Sequence, residues 1–162
     1  MLSRLSKAQH FIVALLLLGC QSSTSEPSLS ETIAWMQNAL KQHNGQRLDS
    51  TLSKEVKLIN RLTANHCGLR YELSNFDISQ YDLTDIDTKT IKIEKIGGAI
   101  WVTFKTRDFH HSVHYEHPLD KDHWAYDSES GGFSLDSEEV AASFAKALAR
   151  AVDLCGGKPS TF

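Results

Sequence analysis

Imidazole is the side chain whose charge changes nearest neutral pH and the commonest protein ligand for transition metals. Five of the eight histidines of this chain crowd into one short segment, as His110, His111, His114, His117 and His123. If residues 110–116 form a strand, alternation puts His110, Ser112, His114 and Glu116 on one face and His111, Val113, Tyr115 and His117 on the other. His114 and Glu116 are then neighbours about 7 Å apart at Cα. With His110 they supply two imidazoles and a carboxylate, a donor set suited to zinc, copper or nickel. The segment lacks the paired helical spacing of a His-Glu-x-x-His site, and no second cluster completes a ligand set. A solvated strand face followed by a polar loop is the plainer reading. A zinc or copper site at His110, His114 and Glu116 is the alternative to an expectation of no resident cofactor.

Other groupings lose their chemistry on inspection. Ser128-Glu129-Ser130-Gly131-Gly132 resembles the loop around a serine-protease nucleophile, but the chain is too small for that two-barrel fold and offers no matching His and Asp. It reads as a turn. Asp85 with Asp87, and Glu138 with Glu139, are explained by turn and helix-start chemistry. There is no phosphate-binding glycine loop, no dinucleotide fingerprint and no internal repeat. The sequence therefore supports no catalytic constellation.

At the N-terminus, Arg4 and Lys7 precede the apolar run Phe11-Ile12-Val13-Ala14-Leu15-Leu16-Leu17-Leu18, followed by Gly19 and Cys20. This is the three-part grammar of an export signal. An apolar run of about ten residues falls well short of the roughly 20 needed to span a bilayer as a helix. The segment Leu17-Leu18-Gly19-Cys20 resembles the lipobox of bacterial lipoproteins. That resemblance implies removal of residues 1–19, a diacylglyceryl group on the Cys20 thiol and acylation of the new amino terminus, palmitate being a typical chain. Two or more chains make such an anchor stable where one does not. In enteric members of this class an Asp after the modified Cys favours the inner membrane. Gln21 stands there, so the resemblance implies a periplasm-facing domain on the outer membrane.

With Cys20 assigned to lipid, Cys67 and Cys155 remain. In an oxidising compartment an even pair in a small domain favours a disulfide, with two buried free thiols as the other reading. A catalytic thiol is disfavoured because nothing basic is placed to lower its pKa.

Cleavage removes Arg4 and Lys7 from the 17 Lys and Arg, leaving 15 against 20 Asp and Glu, a net charge of −5. No basic stripe is visible, which argues against a nucleic-acid partner. The polar segment Gln21 to Pro27 has nothing to bury and reads as a flexible linker, so residues 20–27 form a tether. Residues 28–162 suffice for one hydrophobic core, and a single globular domain is expected.

Two helices bracket that domain. Ser28 and Glu31 make a capping-box pattern, and Leu29, Ile33, Met36 and Leu40 fall on one helical face, with Asn44-Gly45 as the stop. Asp136 and Glu139 suggest a second box, flanked by Leu135 and Val140 as a hydrophobic staple, opening a helix over about 137–155 that Gly156-Gly157 ends. Between them the apolar period is two: Leu69, Tyr71 and Leu73; Ile91 and Ile93; Ile100, Val102 and Phe104; Phe109, Val113 and Tyr115. Gly97-Gly98 reads as a hairpin turn, and Thr106-Arg107-Asp108 as a short link between antiparallel neighbours. Residues 75–87 and 120–132 read as longer loops. The expectation is an α+β fold: N-terminal helix, antiparallel sheet of about five strands, C-terminal helix on the sheet. A PH-like bent sheet is one such arrangement, though fold analogy would not settle function.

Two functional classes follow. The first is a non-enzymatic envelope module, held to the membrane by its lipid and binding a protein or small ligand. The second is a metal-binding or metal-sensing lipoprotein using residues 110–123.

Overall fold

A computed structural model of the chain describes residues 26–43, 58–74, 77–117 and 124–157. The lipobox with Cys20, most of the Ser-rich tether, the Asn44-Gly45 stop and His123 lie outside those residues.

Helix α1 (Leu29–Gln42) starts as its sequence dictates. The Ser28 hydroxyl accepts from the Glu31 amide, and the Glu31 carboxylate accepts from the Ser28 amide at 2.8 Å, so two otherwise orphaned donors are satisfied reciprocally. Ile33, Met36, Ala39 and Leu40 are buried on its inner face.

Helix α2 (Glu138–Leu154) begins one residue later than its sequence suggests. The cap is Ser137, whose hydroxyl accepts from the Val140 amide. Glu139 is therefore not at the third helical position, and the expected box with Asp136 does not form. Asp136 instead meets His43 at the end of α1, with Oδ1 3.0 Å from Nδ1. Serine and aspartate are near-equal caps, so the carboxylate's second partner decides between them. The C-terminus closes as expected. Gly156 takes a φ of +80°, its amide bonds to the Asp153 carbonyl, and the Gly157 amide reaches the Val152 carbonyl at 2.8 Å.

Among the described residues, eight antiparallel strands lie between the helices: β1 (Leu58–Asn65), β2 (Gly68–Ser74), β3 (Ile78–Asp82), β4 (Ile86–Ile96), β5 (Ala99–Thr106), β6 (Val113–Glu116), β7 (Ala125–Ser128) and β8 (Ser130–Leu135). They form a five-stranded sheet, ordered β1-β2-β3-β6-β7, and a three-stranded sheet, ordered β4-β5-β8. The fold is α+β, with two sheets rather than one. Strands β1, β3, β7 and β8 occupy segments where the sequence reading places no strand. In β3 the polar Ser79 is buried beside Ile78 and Tyr81, which erases the pattern. In β8, Gly131 lies beneath the Phe104 ring, where a Cβ would fall 2.6 Å from Cζ. Close approach thus requires glycine at a strand position where propensity disfavours it. The serine- and glycine-rich segment 128–132 is not a turn but the junction of β7 and β8, which Glu129 alone separates.

Gly97-Gly98 joins β4 to β5 as the sequence suggests, both glycines at positive φ. The link after β5 does something else. Residues Arg107–Phe109 form a 3-10 turn with Asp108 and Phe109 at φ of 53° and 55°, and the chain passes from the small sheet to the large one. Strands β5 and β6 are therefore not partners, and β6 begins at Val113 rather than at Phe109.

α2 lies against β4 and β5, and α1 lies against α2 and β1. Phe133 is central to the core: its ring meets Tyr71, Tyr81, Phe104 and Phe144 at centroid distances of 4.9–6.2 Å. A buried polar chain crosses the same region. Asn60, in the left-handed region at φ 45° beside the β1 irregularity, donates to the Leu40 carbonyl at 2.7 Å and accepts from the Tyr71 hydroxyl at 2.6 Å; the Tyr71 oxygen accepts from the Ser134 amide. Four elements are thereby locked in register. Burial raises the Tyr71 pKa far above its ordinary value, so the phenol remains a neutral donor. Cys67, in the β1–β2 turn, and Cys155, capping α2, form a disulfide closing an 88-residue separation with Cα atoms 5.8 Å apart. No helix among the described residues is long and apolar enough to cross a membrane.

Candidate functional site

Strand β6 is short, but both of its faces carry side chains that could recognise something. Its register with β3 and β7 pairs Gln80 with His114 and His114 with Asp127, and pairs Ser79 with Tyr115 and Tyr115 with Tyr126. Directly paired residues share a face. One face is therefore a row of charges and the other a row of rings.

The charged row runs across the large sheet. The Arg61 guanidinium bonds to Glu72, Arg70 bonds to the other Glu72 oxygen at 3.0 Å, and Arg70 lies 3.8 Å from Glu116. Glu116 accepts from Gln80 at 2.8 Å and stands 3.5 Å from His114 Nε2, whose Nδ1 meets Asp127 at 2.7 Å. Burial pushes the Glu72 carboxyl up, but hydrogen bonds and charge from Arg61 and Arg70 outweigh it and leave the pKa below its ordinary value. Carboxylates thus face both imidazole nitrogens of His114, and a guanidinium stands beside Glu116.

The proposed metal ligands are only partly assembled. His114 and Glu116 share a face, as alternation implies. His110 does not lie on the strand: it follows the 3-10 turn, exposed, with its amide bonded to Arg107 and its carbonyl accepting from Thr106 and Ser112. Among the described residues no group of three or more His, Cys, Asp and Glu side chains is arranged to hold a metal ion.

The aromatic row is the more distinctive. Tyr115 stacks on Tyr126 with centroids 5.0 Å apart, Tyr126 on Trp124 at 5.4 Å, and Trp124 on His117 at 3.8 Å, all with planes within 16° of parallel. His117 is held from the other side by Asp77, whose Oδ1 lies 3.1 Å from Nδ1. The Tyr115 hydroxyl donates to the Ser130 carbonyl at 3.1 Å and so ties β6 to the start of β8. Burial, with Tyr126 and Asp77 nearby, pushes its pKa up to about 12, leaving it a neutral donor at physiological pH. Toward β7 the row leaves the core: Trp124 is 43 % exposed and Tyr126 46 % exposed. Beside Tyr115 opens a groove of about 380 Å³, floored by Gly131 and Gly132 and walled by Trp101, Thr103 and Lys105. Phe109, 64 % exposed on its left-handed turn, lies 5.4 Å from the Lys105 ammonium.

The histidines cluster on and around β6, but the exposed rings of the stack, Trp124 and Tyr126, belong to the β7 side. Their signal is present in the sequence as a second period of two, Trp124 and Tyr126, following that of Tyr115 and His117. Four ring-bearing residues at alternate positions of two adjacent strands meet on one face. No protein-family model, curated protein or solved structure matches this chain.

Proposed function

We propose that the protein is a lipid-anchored module of the bacterial envelope, tethered through Cys20, that binds an envelope protein through the aromatic row on β6 and β7. The lipobox resemblance at Leu17-Leu18-Gly19-Cys20 supports the anchor. One observation carries the binding surface: a stack of four rings whose two middle members, Trp124 and Tyr126, are nearly half exposed at the edge strand β7. Tyrosine and tryptophan are the side chains most enriched where binding energy concentrates, since they bring large area at low conformational cost. A stack already formed in the free protein needs little ordering on contact, so less interaction energy is lost to entropy. The outer charged row has no such role in this reading, because its charges satisfy one another.

The test is site-specific photo-crosslinking in intact cells. A photoreactive residue at position 126 should yield a discrete adduct with an envelope protein, and the same residue at Thr63, on the opposite face, should not. Adducts at Thr63 and none at 126 would reject the aromatic row as the binding surface.

A further inference from the structure

A second surface differs in chemistry and in position. The helices run antiparallel, as the pairs Glu26–Arg150 and His43–Asp136 at their two ends require. Along their outer side lies a groove of about 720 Å³, formed by Pro27, Thr32 and Trp35 with Lys146, Ala147 and Arg150. Trp35 leans on Phe144 at 6.3 Å between centroids yet remains 42 % exposed. Leu154, 38 % exposed, lies on the same stripe of α2 as Ala147 and Arg150 by helical spacing. The groove therefore offers an indole and two cations, with Leu154 further along the same helix stripe. Its acidic groups are Glu26, paired with Arg150 at 2.6 Å, and Glu31, hydrogen-bonded to Ser28.

The route of the chain supplies the occupant. Glu26 and Pro27 lie at one end of the groove, and Cys20 is six residues before Glu26. Six residues span at most about 20 Å fully extended. If Cys20 carries lipid, the Glu26–Pro27 end of this groove stays within about 20 Å of the bilayer. A tether of that length also gives the groove a high effective concentration of lipid, so a contact too weak to hold a free protein would be populated. Tryptophan, with its apolar body and N–H donor, settles at the headgroup level, and Lys and Arg beside it pair with lipid phosphates.

We infer that the α1–α2 groove is the face the domain lays on its own membrane, with Trp35 in the interfacial layer and Lys146 and Arg150 against phospholipid phosphates. This orientation rests on the Cys20 anchor proposed above.

The experiment uses the mature lipidated protein, purified from membranes and reconstituted into phosphatidylethanolamine–phosphatidylglycerol vesicles with or without phospholipid brominated high on its acyl chains. With Trp101→Phe and Trp124→Phe in place, Trp35 is the sole indole. Its emission should shift to the blue on vesicles and fall by about half with bromolipid, as for a ring at the ~5–10 Å depth of an interfacial helix. Lys146→Glu should lessen the quenching. A companion carrying Trp35→Phe and Trp101→Phe, which leaves Trp124, should show none. In the unsubstituted protein, bromolipid should remove only emission that Trp35→Phe also removes. Protein that floats with the vesicles while Trp35 remains unquenched overturns this orientation and leaves the anchor standing. Protein that fails to float and carries no acyl mass on Cys20 removes the anchor, and the orientation with it.

Discussion

The imidazole of His117 lies face to face with the indole of Trp124, centroids 3.8 Å apart and planes 12° from parallel, while its Nδ1 stands 3.1 Å from Asp77. With Trp35 and Trp101 replaced by Phe, Trp124 is the sole indole, and His117→Leu, which removes the ring stacked on it, should shift the position and intensity of its emission at constant pH. Emission unchanged in His117→Leu would show that the stack does not hold in solution.

A second expectation concerns the buried chain through Asn60. Tyr71→Phe leaves Asn60 Oδ1 and the Ser134 amide without the partner each has now. Orphaned buried groups of this kind cost about 1–3 kcal/mol, so denaturant unfolding should show a loss in that range. Asn60→Ala should lose more, because it also gives up the bond to Leu40 and puts alanine, which tolerates the left-handed region less well than asparagine, at φ 45°. Additive losses in the double variant would contradict the chain, since coupled neighbours must interact.

Glu72 should give the large sheet a stability that depends on acid. Its folded pKa is depressed by Arg61 and Arg70 despite the opposing effect of burial. The contribution is therefore complete above the unfolded carboxylate value of ~4.3 and is lost as pH falls through the lower folded value. Glu72→Gln should cost about 1–2 kcal/mol near neutrality, the exposed Arg61 side tempering the gain. The gap from the unsubstituted protein should narrow toward pH 3. A gap that widens on acidification would have the wrong sign.

How much of this could be read from the residues alone follows from where each signal originates. Local chemistry was legible: the Ser28–Glu31 box, the Gly97-Gly98 hairpin and the Gly156-Gly157 stop each depend on a few neighbouring residues, and each is present. The Cys67–Cys155 pairing was expected from the even pair that remains once Cys20 is assigned to lipid, and the two cysteines lie at disulfide distance. Strand partnership was not legible. Nothing in residues 107–112 shows that this link carries the chain to another sheet, because that depends on where β8 and β3 offer their edges. Strands β3 and β8 were hidden by Ser79, Gly131 and Gly132, small residues chosen by tertiary packing against local preference. In β6 the alternation of His114 with Tyr115 was right, while His110, on the preceding turn, was beyond its reach.

The disulfide gives a fourth expectation. In the chain-entropy model a loop of this length contributes about 4–5 kcal/mol, an upper figure when the unfolded state keeps structure. Denatured, unreduced mature protein should show no thiol reactivity at Cys67 or Cys155, and reduction should lower the unfolding midpoint. Two reactive thiols in protein taken from the envelope would refute the bridge.

The claim on which the groove's orientation and the envelope setting of the aromatic row depend is the tether, and mass spectrometry of the mature N-terminus tests it most directly. The N-terminal peptide of protein extracted from membranes should begin at Cys20 and carry the mass of a diacylglyceryl group, while Cys20→Ala should leave residues 1–19 attached. A chain that keeps its first nineteen residues, or one that begins at Cys20 with a free thiol, would contradict the account.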